Sequence, residues 1–127
     1  MTDKPKILIV DDIAEYVMAF EMYLPDGAES HSASSADEAK AVLAANGPMD
    51  MAVVDVRLNG EGDGDMSGME LLSWMREKYP RMPVVMVSAY QTFEYEIEAL
   101  ERGAFRFLKK PLQPVEVKAV MKEVLGT

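Results

Sequence analysis

Four short apolar runs and one weaker one, each followed by a stretch with apolar residues three and four apart, constrain this chain more than any other feature. The apolar runs are Lys6–Val10, Met51–Val56, Val84–Val87 and Phe105–Lys109, and the weaker one is Glu29–Ala33. Runs of this length with little polar alternation read as strands covered on both faces. Between them lie helical patterns. Val17, Phe20 and Leu24 mark the first, ended by Pro25 and Gly27. Ser35 opens the second as N-cap, with Glu38 completing a capping box; Ala39, Val42 and Leu43 form its apolar side, and Asn46-Gly47-Pro48 stops it. Leu71, Leu72 and Met75 mark the third, closed by Tyr79-Pro80, and Phe93, Ile97, Leu100 and Ala104 the fourth, with Gly103 suited to its C-terminal cap. Pro114 sits in the first turn of the fifth, whose buried stripe is Val117, Val120, Met121 and Val124. Five strand–helix units in succession predict an α/β fold: a five-stranded parallel sheet, doubly wound, with helices on both faces. In such sheets function gathers at the carboxyl ends of the strands, where strand order reverses.

Composition removes several chemistries. The 127 residues suit one domain, and 49% hydrophobic with 28% charged residues is enough apolar material for a packed core. With no cysteine and a single histidine, His31, there is no disulfide framework, thiolate site or imidazole cluster. The apolar runs are far shorter than a membrane span, and no export leader precedes them, so a cytoplasmic location is expected. A net charge of −9 opposes general attraction to nucleic acid or anionic membrane. The eleven methionines are expected to be mostly soft core filler.

The strand ends carry the candidate chemistry. Strand one runs into Asp11-Asp12, strand three carries Asp55, strand four ends in Ser88, and strand five runs into Lys109-Lys110-Pro111. Crowded carboxylates repel one another unless a cation compensates. Oxygen-only ligands with room for water and phosphate suit Mg²⁺ better than Zn²⁺ or Cu²⁺. An ionised Asp can attack phosphorus to give an acyl phosphate, and phosphoryl transfer asks mainly for positioning and charge stabilisation. Taken singly, each residue has an ordinary reading. Asp12 could be a helix N-cap, and Ser88 and the Lys-Pro pair are common at strand ends. Asp55 is costly at the end of an apolar strand without a partner.

Together, Ile7-Leu-Ile-Val-Asp-Asp12, Met51-Ala-Val-Val-Asp55, Val84-Val-Met-Val-Ser-Ala89 and Gly103-Ala-Phe-Arg-Phe-Leu-Lys-Lys-Pro111 resemble the receiver domains of bacterial two-component response regulators over essentially the whole chain. The resemblance implies a flavodoxin-like sheet of order 2-1-3-4-5 and a single receiver domain over residues 1–127, with an output domain either following Thr127 or absent. It implies that Asp11 and Asp12 hold Mg²⁺, that Asp55 is phosphoacceptor and metal ligand, and that Arg57 lends a backbone carbonyl to the metal. Ser88 then meets the phosphoryl group, Lys110 is the lysine beside it, joined to Pro111 by a cis bond, and Phe107 is the aromatic switch. The implied donor is a sensor histidine kinase. The output would be read on the fourth helix, fifth strand and fifth helix by a downstream domain or protein, or by a second copy in a homodimer. Tyr95, Lys118 and Lys122 belong to that face. Arg57 and Tyr90, each two residues past a site residue, are expected to flank the entry of hydrolytic water.

One segment departs from the family pattern: Asn59-Gly-Glu-Gly-Asp-Gly-Asp-Met-Ser-Gly68 is longer than the usual loop. Asn59, Glu61, Asp63, Asp65, Ser67 and Glu70 nearly match a calcium loop, but the first position lacks its Asp and a strand, not a helix, precedes it. A solvated acidic loop is the expectation. Other function classes fit less well. An Asp-nucleophile phosphatase or mutase would want an acid where Arg57 stands, together with a cap domain. A flavin binder would want a phosphate loop where Asp11-Asp12 would repel the phosphate. A phosphorylation-independent interaction module would not need the matched site residues. No turnover of an external metabolite is expected.

Overall fold

A computed structural model of the chain describes residues 4–58, 67–89 and 93–126. Strand and helix alternate throughout: β1 (Lys6–Val10), α1 (Ala14–Glu21), β2 (Glu29–Ala33), α2 (Ala36–Asn46), β3 (Met51–Asp55), α3 (Ser67–Lys78), β4 (Val84–Ser88), α4 (Phe93–Glu101), β5 (Arg106–Lys109) and α5 (Pro114–Leu125). The strands form one parallel sheet in the order β2-β1-β3-β4-β5. The fold class, strand order and parallel sense are therefore as expected.

The unbroken apolar runs have a direct physical cause. Every residue of β3 and β4 is buried, so neither face of these strands needs a polar residue. On one face Leu8, Val10, Ala52, Val54, Val84 and Met86 pack with Leu43, Leu72 and Met75 from α2 and α3. On the other, Ile7, Ile9, Val53, Val85, Val87 and Leu108 pack with Phe20 of α1 and Val117, Val120 and Met121 of α5. Met49, Met51, Met69, Met75, Met82 and Met86 are buried and fill these layers, whereas Met18 and Met22 on α1 stay exposed.

The local signals mostly act as expected, with instructive exceptions. The Ser35 hydroxyl accepts the Glu38 amide at 3.1 Å, but the Glu38 carboxylate takes the amide of Ser34 and not that of Ser35, so the box closes one residue early. Helix α1 stops at Glu21, short of Leu24. The amides of Tyr23 and Leu24 instead reach the carbonyls three residues back, at 3.0 and 3.2 Å, because Pro25 disfavours helical backbone at the residue before it. Leu24 still packs against the α1/α5 side of the sheet. Helix α4 ends at Glu101, and Gly103, at φ +101°, lets the chain turn back so that the Ala104 amide bonds the Ala99 carbonyl at 3.0 Å. The buried side of α4 is Ala99 with half-buried Tyr95, while Phe93 (70% exposed), Ile97 (38%) and Leu100 (47%) look outward. Among the described residues no helix is long and apolar enough to cross a membrane.

Candidate phosphoacceptor site

Parallel pairing brings the ends of β1, β3, β4 and β5 to one edge of the sheet. The β1–β3 and β3–β4 registers set Val10 beside Val54 and Asp55 beside Val87, so Asp11, Asp55 and Ser88 emerge from adjacent strands at nearly one level. The Lys110 amide then bonds the Ser88 carbonyl at 2.9 Å, which extends the β4–β5 pairing by one step and fixes where the lysine side chain starts. The Lys110–Pro111 bond is cis, as the resemblance implies. Lys109, one residue earlier, is exposed, and Lys110 is only 4% exposed.

The buried ammonium lies between two carboxylates. Lys110 Nζ is 2.8 Å from Asp11 Oδ2 and 3.3 Å from Asp55 Oδ2, and it also lies over the face of Tyr16, whose ring centroid is 3.6 Å away. Asp11 also accepts the amide of Ile13 at 3.0 Å, and Asp55 accepts that of Arg57 at 3.4 Å. The N-cap of α1 is Ile13, so the capping alternative for Asp12 is not the arrangement found. Carboxylate oxygens of Asp11, Asp12 and Asp55 all fall within 4.8 Å of one another. Such an all-oxygen, densely anionic donor set fits a hard divalent cation of the Mg²⁺ class and offers nothing to a thiophilic metal.

Burial dominates the electrostatics of Asp55. Desolvation pushes its carboxyl up to about 6; Lys110 opposes that rise and Asp11 adds to it. At Asp55 desolvation thus outweighs the attraction of Lys110. Beside them is a cavity of about 180 Å³, lined by Asp12, Ile13, Tyr16, Asp55, Arg57, Ala89 and Lys110, which gives a small anionic group access to the Asp55 carboxylate.

The remaining expected residues fall as follows. Ser88 is fully buried at the end of β4. Phe107 is half-buried and packs against the α2/α3 side of the core, on the strand next to Ser88. Arg57 is buried and lines the cavity; its guanidinium donates to the Tyr95 hydroxyl of α4 at 2.9 Å and lies over that ring. Tyr90 and the loop residues Asn59, Glu61, Asp63 and Asp65 lie outside the described residues. Of the near-match to a calcium loop, Ser67 and Glu70 belong to α3, and the Ser67 hydroxyl accepts the Leu58 amide at 3.1 Å. Two features went unread in the sequence. Tyr16 sits one residue before the inward-facing Val17 and gave no pattern to find. Gly68 ends the long loop, and a Cβ there would lie 1.9 Å from the Asp55 carbonyl oxygen.

Comparison with known proteins agrees with this geometry. Residues 7–122 match the response regulator receiver domain family. The chain is 36% identical over 110 residues to the response regulator protein PilR of Pseudomonas aeruginosa, covering 86% of this chain and 23% of that protein. It is 33% identical over 122 residues to the nitrogen assimilation regulatory protein NtrX of Azorhizobium caulinodans, covering 95% of this chain and 26% of that one. The chain thus spans about a quarter of the length of the curated relatives it matches. Among solved structures, the receiver domain of NtrX from Brucella abortus superposes with a TM-score of 0.83 at 31% identity, covering 95% of this chain and 98% of that one. A CheY-like receiver domain protein from Methanospirillum hungatei gives 0.82 at 30% identity, covering 98% and 95%. With the same sheet order, the acidic cluster at its carboxyl edge and a family match over most of its length, this chain belongs to the response regulator receiver domains of two-component signalling systems.

Proposed function

We propose that the domain is a phosphorylation-dependent switch in which Asp55 accepts a phosphoryl group from the phosphohistidine of a sensor histidine kinase. The observation that carries this reading is the buried Lys110 ammonium held between Asp11 and Asp55, from the ends of β1, β3 and β5, beside a cavity large enough for a phosphoryl group. An ionised Asp55 oxygen attacks phosphorus; the new O–P bond forms as the P–N bond breaks, and the imidazole leaves. Lys110 remains close enough to neutralise a phosphoryl oxygen, and Ser88 supplies a hydroxyl to another. Bound Mg²⁺, held by Asp11, Asp12, Asp55 and the Arg57 carbonyl, would supply the further positive charge that the transferring oxygens require. Hydrolysis of the acyl phosphate resets the domain, which turns over no external metabolite.

Output on this reading is a change of packing. Ser88 moves toward the phosphoryl group and Phe107 turns into the space behind it. The α4–β5–α5 face, with Tyr95, Lys118 and Lys122, then shifts between two states whose balance phosphorylation biases. The outward Phe93, Ile97 and Leu100 suit that face to a downstream domain or to a second copy. Residues 1–127 act as one receiver domain in the cytoplasm, passing the signal to an output domain or to a separate downstream protein, and bind neither nucleic acid nor membrane themselves.

Incubation with acetyl phosphate and Mg²⁺ followed by mass spectrometry tests the proposal. The added mass should map to Asp55 alone, vanish in Asp55→Asn and require the metal; beryllofluoride should shift NMR signals across residues 93–122. Labelling elsewhere, or undiminished labelling in chelator, would contradict it.

Arg57 should control the lifetime of the phosphorylated form. Its buried guanidinium fills one wall of the cavity and is anchored by Tyr95, so Arg57→Ala opens a path for water to the acyl phosphate. Decay should accelerate about tenfold, equivalent to about 1.4 kcal/mol in the barrier. Tyr95→Phe, which loosens the anchor but keeps the wall, should give a smaller change. Decay curves that superpose on the wild type for both variants would remove this role.

A further inference from the structure

We infer that Tyr16 is the positioning residue for Lys110, holding its ammonium in the phosphoacceptor pocket through the face of the ring. The inference rests on the phosphoacceptor reading and extends it to a residue on α1. Lys110 Nζ contacts two carboxylates, Asp11 at 2.8 Å and Asp55 at 3.3 Å, and also a neutral group, the Tyr16 ring at 3.6 Å from its centroid. The two kinds of contact differ in what happens when a divalent cation shares the pocket. Asp11 and Asp55 are two of the three carboxylates that would bind such an ion, so their charge is then divided between it and Lys110. The cation also repels the ammonium directly. The attraction of the ammonium to the ring quadrupole draws on no carboxylate, so the metal does not consume it.

Geometry adds a second reason. Tyr16 and Lys110 both line the cavity beside Asp55, and the ammonium lies over the face of the ring. A long, flexible lysine released there would turn toward water, where an ammonium is strongly hydrated. Among the described residues the Tyr16 hydroxyl makes no hydrogen bond, so the aromatic face is what the site uses. Tyr16 lies on the first turns of α1, next to the N-cap whose amide is bound by Asp11, so ring and carboxylate are fixed by the same piece of backbone.

The test compares Tyr16→Phe and Tyr16→Leu with the wild-type protein. Beryllofluoride affinity is measured by NMR titration at saturating Mg²⁺, Mg²⁺ affinity alone by calorimetry, and folding by urea unfolding. Tyr16→Leu should bind beryllofluoride about tenfold more weakly, while its Mg²⁺ affinity is unchanged or higher because the displaced ammonium no longer competes. Tyr16→Phe keeps the ring face and should restore beryllofluoride binding to within about twofold of wild type, while the undiminished Mg²⁺ affinity of Tyr16→Leu separates loss of the ring face from a general loosening of the pocket. Equal beryllofluoride affinity in wild type and Tyr16→Leu overturns the inference, as does a Phe variant as weak as the Leu variant, or a parallel loss of Mg²⁺ and beryllofluoride binding. A wild-type protein that binds no beryllofluoride overturns the phosphoacceptor reading itself, and this inference with it.

Discussion

Replacing Gly68 with alanine should destabilise the domain by about 3 kcal/mol or more, at the upper end of what overpacking costs. A Cβ at that position would sit 1.9 Å from the Asp55 carbonyl oxygen and 2.6 Å from that of Val56. Both obstacles are backbone atoms at the end of a fully buried strand, so no side chain can swing aside to make room. The start of α3 must move away, and the 2.9 Å bond from the Gly68 amide to the Val56 carbonyl is lost with it. Because the obstructing carbonyl belongs to Asp55, labelling by acetyl phosphate should fall as well. Gly27→Ala is the informative control. Its φ of +83° makes alanine strained, but nothing lies within 4 Å of the added carbon, so the cost should be about 1 kcal/mol with no effect on labelling. Urea unfolding separates the two; a Gly68→Ala midpoint as high as that of Gly27→Ala would show that the close approach is not limiting.

Asp55→Asn should make the metal-free domain more stable at pH 7, and the gain should disappear in acid. Burial raises the Asp55 carboxyl from 3.8 to about 6 despite the attraction of Lys110. Between about pH 4 and pH 6 the folded protein retains a proton on Asp55 that the unfolded chain has already released. Stability of the wild type therefore falls as pH rises through that window, and above it the full cost of the buried charge is present. At about 1.4 kcal/mol per pH unit the penalty is about 3 kcal/mol, and asparagine, which cannot ionise, escapes it. The difference between variant and wild type should grow from near zero below pH 4 to that order at pH 7. Added Mg²⁺ should narrow it, because the ion binds and stabilises the ionised wild-type pocket more than the variant. Thermal melts at pH 4, 5, 6 and 7, with and without Mg²⁺, measure all of this. A variant less stable than wild type at pH 7, or a gap independent of pH, would contradict the account.

The sheet was legible because strands buried on both faces leave uninterrupted apolar runs, as Val84–Val87 does. The acidic cluster and Lys110 could be picked out as a candidate site because each follows or ends such a run: a charge after Ile9-Val10 or Val53-Val54 has few structural reasons to be there. Less could be read where the outcome depends on contacts distant in sequence. The spacing of Phe93, Ile97 and Leu100 marks a helix, but periodicity does not say which side faces the sheet, and here Ala99 and Tyr95 do. Leu24 keeps the helical spacing of Val17 and Phe20, yet Pro25 ends the helix before it. Tyr16 and Lys110 are far apart along the chain, as are Arg57 and Tyr95, so neither pair leaves a local signature. The demand for glycine at position 68 arises only when α3 is laid against the end of β3.

The bond between Lys110 and Asp11 joins residues 99 apart in sequence, and that separation has a kinetic consequence. Closing so long a loop is entropically costly, and contacts of this kind form only after the sheet has assembled around them. The charges of the pocket therefore stay hydrated through most of the folding path and are confined together near its end. Electrostatic tension at Asp55 adds little to the barrier met by a chain that is folding. It is felt chiefly by the finished protein, as a faster rate of opening, and its relief by a bound cation slows that opening.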